Sequence, residues 1–292
     1  MLPHPAMSEL SALIERHCHR DFMPTAIPGL TLSRANAPTE LSPAMYYPLL
    51  CVLARGRKRI FLGESEFFYD PDCYLVASLD LPISGQVLEA PCLGVTLALE
   101  PARLAALLLD LPATVETQAT ARAVAVDPLE DDLRDPLLRL LRLLDRPADI
   151  PVLAPGIERE ILYRLLCGPR GATLRQMALP GSRLSQINRA IRMLRERYQE
   201  KVRTEELARA AGMSATSLHR HFRTVTTMSP LQFQKRLRLQ EARRRLLTHD
   251  VDATRVSFDV GYESASQFSR EYRRLFGQPP ARDAARARRT LA

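Results

Sequence analysis

Nine side chains in the last hundred residues have the types and spacing to read an ordered polar surface by hydrogen bonding. Thr216, His219, Arg220 and Arg223 form one set, and Ser266, Gln267, Arg270, Arg273 and Arg274 form another. Steps of three and four residues put each set on one side of a helix. Arginine offers a planar fork of donors, glutamine a donor beside an acceptor, and a small hydroxyl either role. Those groups match guanine, adenine and several base edges in the major groove of DNA. The expected chemistry is recognition, in which no covalent bond is made or broken.

Two similar stretches must position these residues: TEELARAAGMSATSLHRHFRTVTTMSP, from Thr204, and DATRVSFDVGYESASQFSREYRRLFGQPP, from Asp252. Each reads as a helix, a glycine-centred turn and a second helix, which is a helix-turn-helix repeated in tandem. In the first copy Thr204 is expected to cap the entering helix, Glu205 and Glu206 to complement its dipole, Gly212 to end it and Ser214 to cap the next. Asp252, Gly261 and Ser264 repeat the pattern. Leu218 with Phe222, and Phe268 with Tyr272, lie four apart and should pack inward, leaving the polar sets outside. Between the copies, Ser229 and Pro230 open a helix running to about Thr248 with Leu239, Ala242 and Leu246 buried. Its length of roughly 30 Å is close to the ~34 Å repeat of B-DNA, so the two second helices could enter successive major-groove turns.

RLRLQEARRRLL followed by GYESASQFSREYRRLFGQPP resembles the signature of the AraC/XylS transcription regulators, over residues from about 183 to 280. The resemblance implies sequence-specific binding of double-stranded promoter DNA by an activator or a repressor, RNA polymerase as partner, and base-reading roles for Thr216, His219, Arg220, Ser266, Gln267 and Arg270. Arg223, Arg273 and Arg274 lie farther along their helices, where phosphates are expected. Two positions depart from the family pattern: Ala253 replaces a larger aliphatic, and Asp283 stands where an aromatic is common. Both suggest looser packing of the second copy.

Charge divides the chain in the same way. The net charge is +8, but residues 183–292 carry +13 and the rest −5, so nucleic acid is the expected partner of one part only. The expected domains are 1–182, for effector sensing and dimerisation, and 183–292, for DNA binding. Five cysteines, Cys18, Cys51, Cys73, Cys92 and Cys167, lack CxxC spacing, which argues against a disulfide framework or zinc site and suits a reducing cytoplasm. No apolar run approaches the length of a membrane span, and no secretion signal is evident at the start.

From Leu30 to Glu100 the pattern becomes short alternating or apolar runs: LTLSRA, LLCVLARG, KRIFLGESEFFY, CYLVASLDLPISGQVLE and CLGVTLALE. Gly63–Glu64 and Pro71–Asp72 read as hairpin turns, and many short strands argue a small barrel. RGRKRIFLGESEFFYDPDCYLVASLDLPISGQV is similar to the cupin-like N-terminal sensor domain of one AraC subgroup. The fold expected is α+β: a cupin-like β-barrel with a helical dimerisation region, then an all-α tandem helix-turn-helix domain. A barrel interior suits a small organic effector, with Tyr46, Phe61, Phe67, Tyr69 and Cys73 as candidate contacts. The alternative is control by a protein partner or by oxidation of Cys51 or Cys73, with the barrel filled.

Metal-dependent cupin chemistry needs clustered histidines, and none occurs between His19 and His219. The adjacent His17, Cys18 and His19 would diverge on a helix. The chain also lacks a recognisable nucleophile, base or phosphate-loop motif, so neither an enzyme nor a cofactor is expected. After the strands, Pro101–Leu111 reads as a helix and a polar Thr- and Ala-rich stretch as a connector. Asp127 and Pro128 open a longer helical segment in which Leu133, Leu137, Leu140 and Leu144 form a seam suited to a homodimer. A helix from Val152 to Cys167 follows, then a linker through Gly181, then a helix from Ser185 to Tyr198.

Overall fold

The structure is a computed structural model that describes residues 5–111, 122–248 and 251–291. Two compact units divide it, residues 1–40 with 45–185 and residues 41–44 with 186–292. The Thr- and Ala-rich connector lies largely outside the described residues.

The first unit opens with α1 (Pro5–His17), which buries Met7, Leu10, Leu13 and Ile14. Seven strands follow: β1 (Phe22–Pro24), β2 (Leu30–Ala35), β3 (Ser42–Tyr46), β4 (Leu49–Leu62), β5 (Ser65–Tyr69), β6 (Cys73–Ala77) and β7 (Leu81–Ala98). Beyond α2 (Pro101–Leu109) comes β8 (Val124–Pro128). They form one eight-stranded sheet in the order β1-β2-β7-β4-β6-β8, with β3 also on β7 and β5 also on β4. Its spine is the antiparallel pair β4–β7, running from Leu49↔Ala98 to Phe61↔Ser84 with register breaks between Leu53 and Lys58. Extra residues in one strand bend it and increase its twist. The first half of β4 can therefore also carry β6, and the second half β5.

These bulges explain one difference from expectation: LLCVLARG and KRIFLG are a single strand, since the irregularity at Arg55–Arg57 kinks the chain without ending it. The Gly63–Glu64 turn closes the expected hairpin, with Leu62 opposite Ser65. Pro71–Asp72 instead joins two strands that follow one another antiparallel to β4, β5 along its second half and β6 along its first, so it interrupts one returning strand and closes no hairpin. A further correction concerns Asp127 and Pro128, which end β8 opposite Tyr74 and Cys73. Both Asp127 carboxylate oxygens accept hydrogen bonds from Arg170, at 2.7 and 2.8 Å, a tertiary tie that local helix signals do not contain.

The helices of this unit are α3 (Asp131–Arg142), α4 (Ile150–Cys167) and α5 (Gly171–Ala178), the last lying in what reads as a linker. The leucine seam is also corrected. Leu133, Leu137, Leu140 and Leu144 are all buried within their own unit, where α3 packs on α4 and α1. Exposed apolar surface lies on α4 instead, at Val152, Leu153 and Tyr163.

Apart from residues 41–44, which overlap the start of β3, the second unit is helical. α6 (Arg183–Glu196) leads into it, followed by α7 (Thr204–Ala211), α8 (Ala215–Thr226), α9 (Pro230–Thr248), α10 (Ala253–Asp259), α11 (Ala265–Phe276) and α12 (Pro280–Leu291). No described helix is long and apolar enough to cross a membrane.

Candidate nucleic-acid interface

Local capping chemistry sets where the second helix of each helix-turn-helix begins. In the first unit of the tandem, α7 ends at Gly212 with φ of +66°, and the Ser214 hydroxyl accepts from the Ser217 N–H at 3.2 Å to start α8. In the second, the Asp252 carboxylate accepts from the Arg255 N–H at 2.9 Å, and Ser264 accepts from the Gln267 N–H at 3.3 Å to start α11. Helix α9 opens on a reciprocal box in which Ser229 Oγ accepts from the Gln232 N–H and Gln232 Oε1 accepts from the Ser229 N–H. Thr204 departs from expectation. It is the first helical residue of α7, the capping position belongs to extended Arg203, and no side-chain cap forms. Glu206 does more than face the dipole, since it pairs with Arg197 at 3.0 Å.

The inward faces are as the spacing requires. Leu218, Phe222, Phe268 and Tyr272 are buried, and Phe222 meets Phe233 of α9 edge-on with ring centroids 5.4 Å apart. In the second unit Tyr262, Phe268, Tyr272 and Phe276 form a ladder with successive centroids 4.5–5.4 Å apart. The looser packing expected at Asp283 is not found. Asp283 is 2% exposed, accepts two bonds from Arg243 at 2.7 and 3.2 Å, and accepts a third from the Tyr272 hydroxyl at 2.8 Å.

On the outward faces Thr216, His219, Arg220 and Arg223 of α8 are exposed, as are Ser266, Arg270, Arg273 and Arg274 of α11. Both helices have twelve residues, so Thr216 and Ser266, Arg220 and Arg270, and Arg223 and Arg273 hold equivalent places. No ion pair engages Arg220, Arg223, Arg270, Arg273 or Arg274 among the described residues, and Arg220 Nη2 lies 3.4 Å from His221 Nε2. Gln267 differs. It is half-buried and donates from Nε2 to Glu271 Oε1 at 3.1 Å.

Sequence reasoning missed the residues behind this face. Glu271 Oε1 also accepts from Lys235 Nζ at 2.6 Å, and its Oε2 accepts from the Tyr262 hydroxyl at 2.8 Å. Burial would raise the Glu271 pKa, but donation from Lys235, Gln267 and Tyr262 outweighs it and holds the carboxyl below its ordinary range. From α9, Gln234 donates to the Glu200 carbonyl at 2.7 Å, while Arg238 donates to the carbonyls of Tyr198 and Gly261, each at 2.6 Å. This clamp fastens the segment after α6 to the second turn. A signal for Glu271 was available in its four-residue step from Gln267, but Arg238 is linked to its partners only through the fold.

In the first unit of the chain, the candidate effector residues separate. Tyr46 and Tyr69 are hydrogen-bonded to each other in the interior, Cys51 Sγ lies 3.9 Å from the Tyr69 hydroxyl, and burial raises the pKa of both phenols. Phe67 is half-buried opposite Ile60. Phe61 sits under the Arg59 guanidinium, 5.1 Å from the ring centroid, on the other face of the strand. Burial, then Asp70, Asp72 and Asp127, push the Cys73 thiol up, which disfavours the reactive thiolate. A cleft of about 500 Å³ lies elsewhere in this unit, between α2 and α4, lined by Leu107, Ala154, Leu162, Arg103 and Glu158 among others. None of the five candidates lines it. His17 is held by Asp145 at 2.8 Å and ends α1, whereas buried Cys18 and exposed His19 lie beyond the helix expected to hold all three.

A tandem helix-turn-helix with two cationic outward faces, joined in one chain to a bent antiparallel sheet, defines a DNA-binding transcription regulator. A family model for the AraC-type transcriptional regulator N-terminus matches residues 26–173, just over half of the chain, and a helix-turn-helix domain model matches residues 207–286. The chain belongs to the AraC-type transcriptional regulators. It is 33% identical over 100 residues to the HTH-type transcriptional activator RhaS of Pectobacterium carotovorum subsp. carotovorum (strain PC1), covering 34% of this chain and 36% of that one. It is 31% identical over 144 residues to RhaS of Salmonella schwarzengrund (strain CVM19633), covering 49% and 51%. The chain thus spans between a third and a half of the length of the curated relatives it matches. Its fold is similar to that of unsaturated fatty acid bound ToxT from Vibrio cholerae strain SCE256, with a TM-score of 0.56 and 9% identity over 88% of this chain and 93% of that one.

Proposed function

We propose that this regulator is a cytoplasmic, homodimeric activator that reads promoter bases with Thr216, His219 and Arg220 of α8 and with Ser266, Gln267 and Arg270 of α11. Arg223, Arg273 and Arg274 grip phosphates, and RNA polymerase is the partner through which it acts. The observation that carries the reading is the equivalence of the two exposed faces, with Arg220 and Arg270 at the same place in helices of equal length. Their separation is set by α9, whose nineteen residues span about 28 Å at 1.5 Å each, near one turn of B-DNA. Competition binding against promoter variants at several salt concentrations tests it. Arg220→Ala and Arg270→Ala should each cost about 1–3 kcal/mol and flatten preference at one base pair, the two positions lying about one helical turn apart. Arg223→Ala should weaken all sequences alike and lower the salt slope by about one. Equal losses of specific and nonspecific binding for Arg270→Ala would remove it from the base readers.

Control by a small organic effector is the second part of the proposal. It draws on the fold shared with ToxT, which has been solved with an unsaturated fatty acid, and on two features of the first unit. One is the polar group Tyr46–Tyr69–Cys51 inside the sheet; the other is the cleft between α2 and α4. The cleft has the size and apolar lining of a ligand site, whereas Phe61 and Cys73 face elsewhere. A ligand at 100 times its Kd adds about 2.7 kcal/mol, so thermal-shift screening of the full chain reads it directly. A shift lost in Leu107→Trp assigns the cleft; one lost in Tyr69→Phe assigns the sheet interior. Dimerisation rests on exposed Val152 and Leu153 of α4, and sedimentation of Val152→Lys should give monomer.

A further inference from the structure

We propose that Glu271 is a specificity-determining positioning residue, which fixes the side-chain amide of Gln267 so that α11 selects adenine and rejects guanine at one base pair. The inference rests on the reading of Gln267 as a base reader. An ionised carboxylate has no proton to donate, so the Gln267 amide can face it only through nitrogen, and the observed Nε2 to Oε1 contact of 3.1 Å has that sense. Glu271 cannot easily turn away, because Lys235 holds the same oxygen at 2.6 Å and the Tyr262 hydroxyl holds the other at 2.8 Å. Tyr262 is itself buried, with the Arg238 guanidinium 6.0 Å from its ring centroid. The Gln267 backbone is fixed too, since its N–H donates to the Ser264 cap.

One Nε2 hydrogen is thereby committed to Glu271. What Gln267 has left to offer is Oε1 as an acceptor and the second Nε2 hydrogen as a donor. That pair matches adenine, which presents the N6 amino donor beside the N7 acceptor in the major groove. Guanine presents two acceptors, O6 and N7, and one of them would face Oε1 without a proton between them. Freed from Glu271, the amide could rotate and offer nitrogen alone to guanine. Ser217 holds the equivalent position in α8, where a rotating hydroxyl carries no such constraint.

The test is competition binding of the full chain to duplexes varied one base pair at a time, for Gln267→Ala, Glu271→Ala and Glu271→Gln. Gln267→Ala should flatten preference at a single base pair, which locates the contact. At that base pair the native chain should favour adenine over guanine by about tenfold or more. Glu271→Ala should bring the two within about twofold while preferences at the Arg220 and Arg270 positions stay in place. Glu271→Gln retains the shape and an acceptor oxygen, and should keep an intermediate preference even if Glu271→Ala folds poorly. A flattened position in Gln267→Ala together with unchanged adenine preference in both Glu271 variants overturns the proposal and leaves the base-reader assignment standing. No flattened position in Gln267→Ala overturns the assignment itself and the proposal with it.

Discussion

The two helix-turn-helix units share one template and are held together by different chemistry. The core of the first holds no buried ion pair among the described residues: Leu207, Ala211, Leu218, Phe222 and Val225 are buried, Phe222 meets Phe233 of α9 edge-on, and the buried Thr226 hydroxyl is satisfied by the Phe222 carbonyl. The second encloses the Arg243–Asp283 ion pair, completed by the Tyr272 hydroxyl, beside an aromatic ladder. Burying two charges costs several kcal/mol each before their attraction returns it, so such a pair adds little net stability but makes either partner very costly to remove. A single loss should therefore be felt far more sharply in the second unit than its local packing suggests.

The largest expected effect follows from this. Asp283→Ala leaves Arg243 buried without its counter-charge and should destabilise the second unit by about 3–5 kcal/mol in denaturant unfolding. Replacing both partners, with Arg243→Met and Asp283→Leu, should recover most of that loss, because no uncompensated charge remains. In the first unit Phe222→Ala should cost about 3–5 kcal/mol as a cavity, and no second substitution of charge can restore it. A double variant no better than Asp283→Ala would mean that the second core depends on shape, as the first does.

The turns sharpen the contrast. A Cβ at Gly212 would lie 3.6 Å from the end of the Arg189 side chain, an ordinary contact, so Gly212→Ala should cost only the left-handed backbone penalty of about 1–2 kcal/mol. A Cβ at Gly261 would lie 2.2 Å from the Gln199 carbonyl oxygen, and φ there is +94°. Gly261→Ala must therefore also push away the segment that Arg238 and Gln234 clamp, and should cost clearly more than its counterpart. Thermal unfolding of the two variants side by side decides; equal losses would show that the clamp yields freely.

How much of this could be read beforehand depends on the range of the interactions. Ser214, Ser229, Asp252 and Ser264 act on N–H groups within three residues, so the caps and the order of the helices were legible in the residues themselves. The outward faces were legible too, because burial of Leu218, Phe222, Phe268 and Tyr272 leaves one side for the polar set. Asp283 was not, since Arg243 lies forty residues away and a lone aspartate in a polar helix reads as solvated. The leucines of α3 failed for another reason: an apolar stripe states that it must be covered and is silent on whether its own chain or a second copy covers it. Strand β8 was missed because Asp–Pro resembles a helix start locally, while its partners Cys73 and Tyr74 lie more than fifty residues earlier.

The smallest effect separates the units by pH. Glu271 has a folded-state pKa below its ordinary value of 4.5, owing to donation from Lys235, Gln267 and Tyr262 against the opposing effect of burial. A depressed carboxylate contributes stability that is fully present above its unfolded pKa and is lost as pH falls through the folded one. Acid below about 4.5 should therefore loosen the contacts of α11 with α9 and the second turn, because protonated Glu271 gives up its attraction to Lys235. In α8 the equivalent position is His221, and that helix carries no carboxylate at all. Amide hydrogen exchange in stepped pH should show protection of α11 falling before that of α8, and Glu271→Gln should abolish the lag by weakening α11 at neutral pH already. Identical pH profiles for the two helices, unchanged in Glu271→Gln, would show that the ion pair with Lys235 does not set the difference between the units.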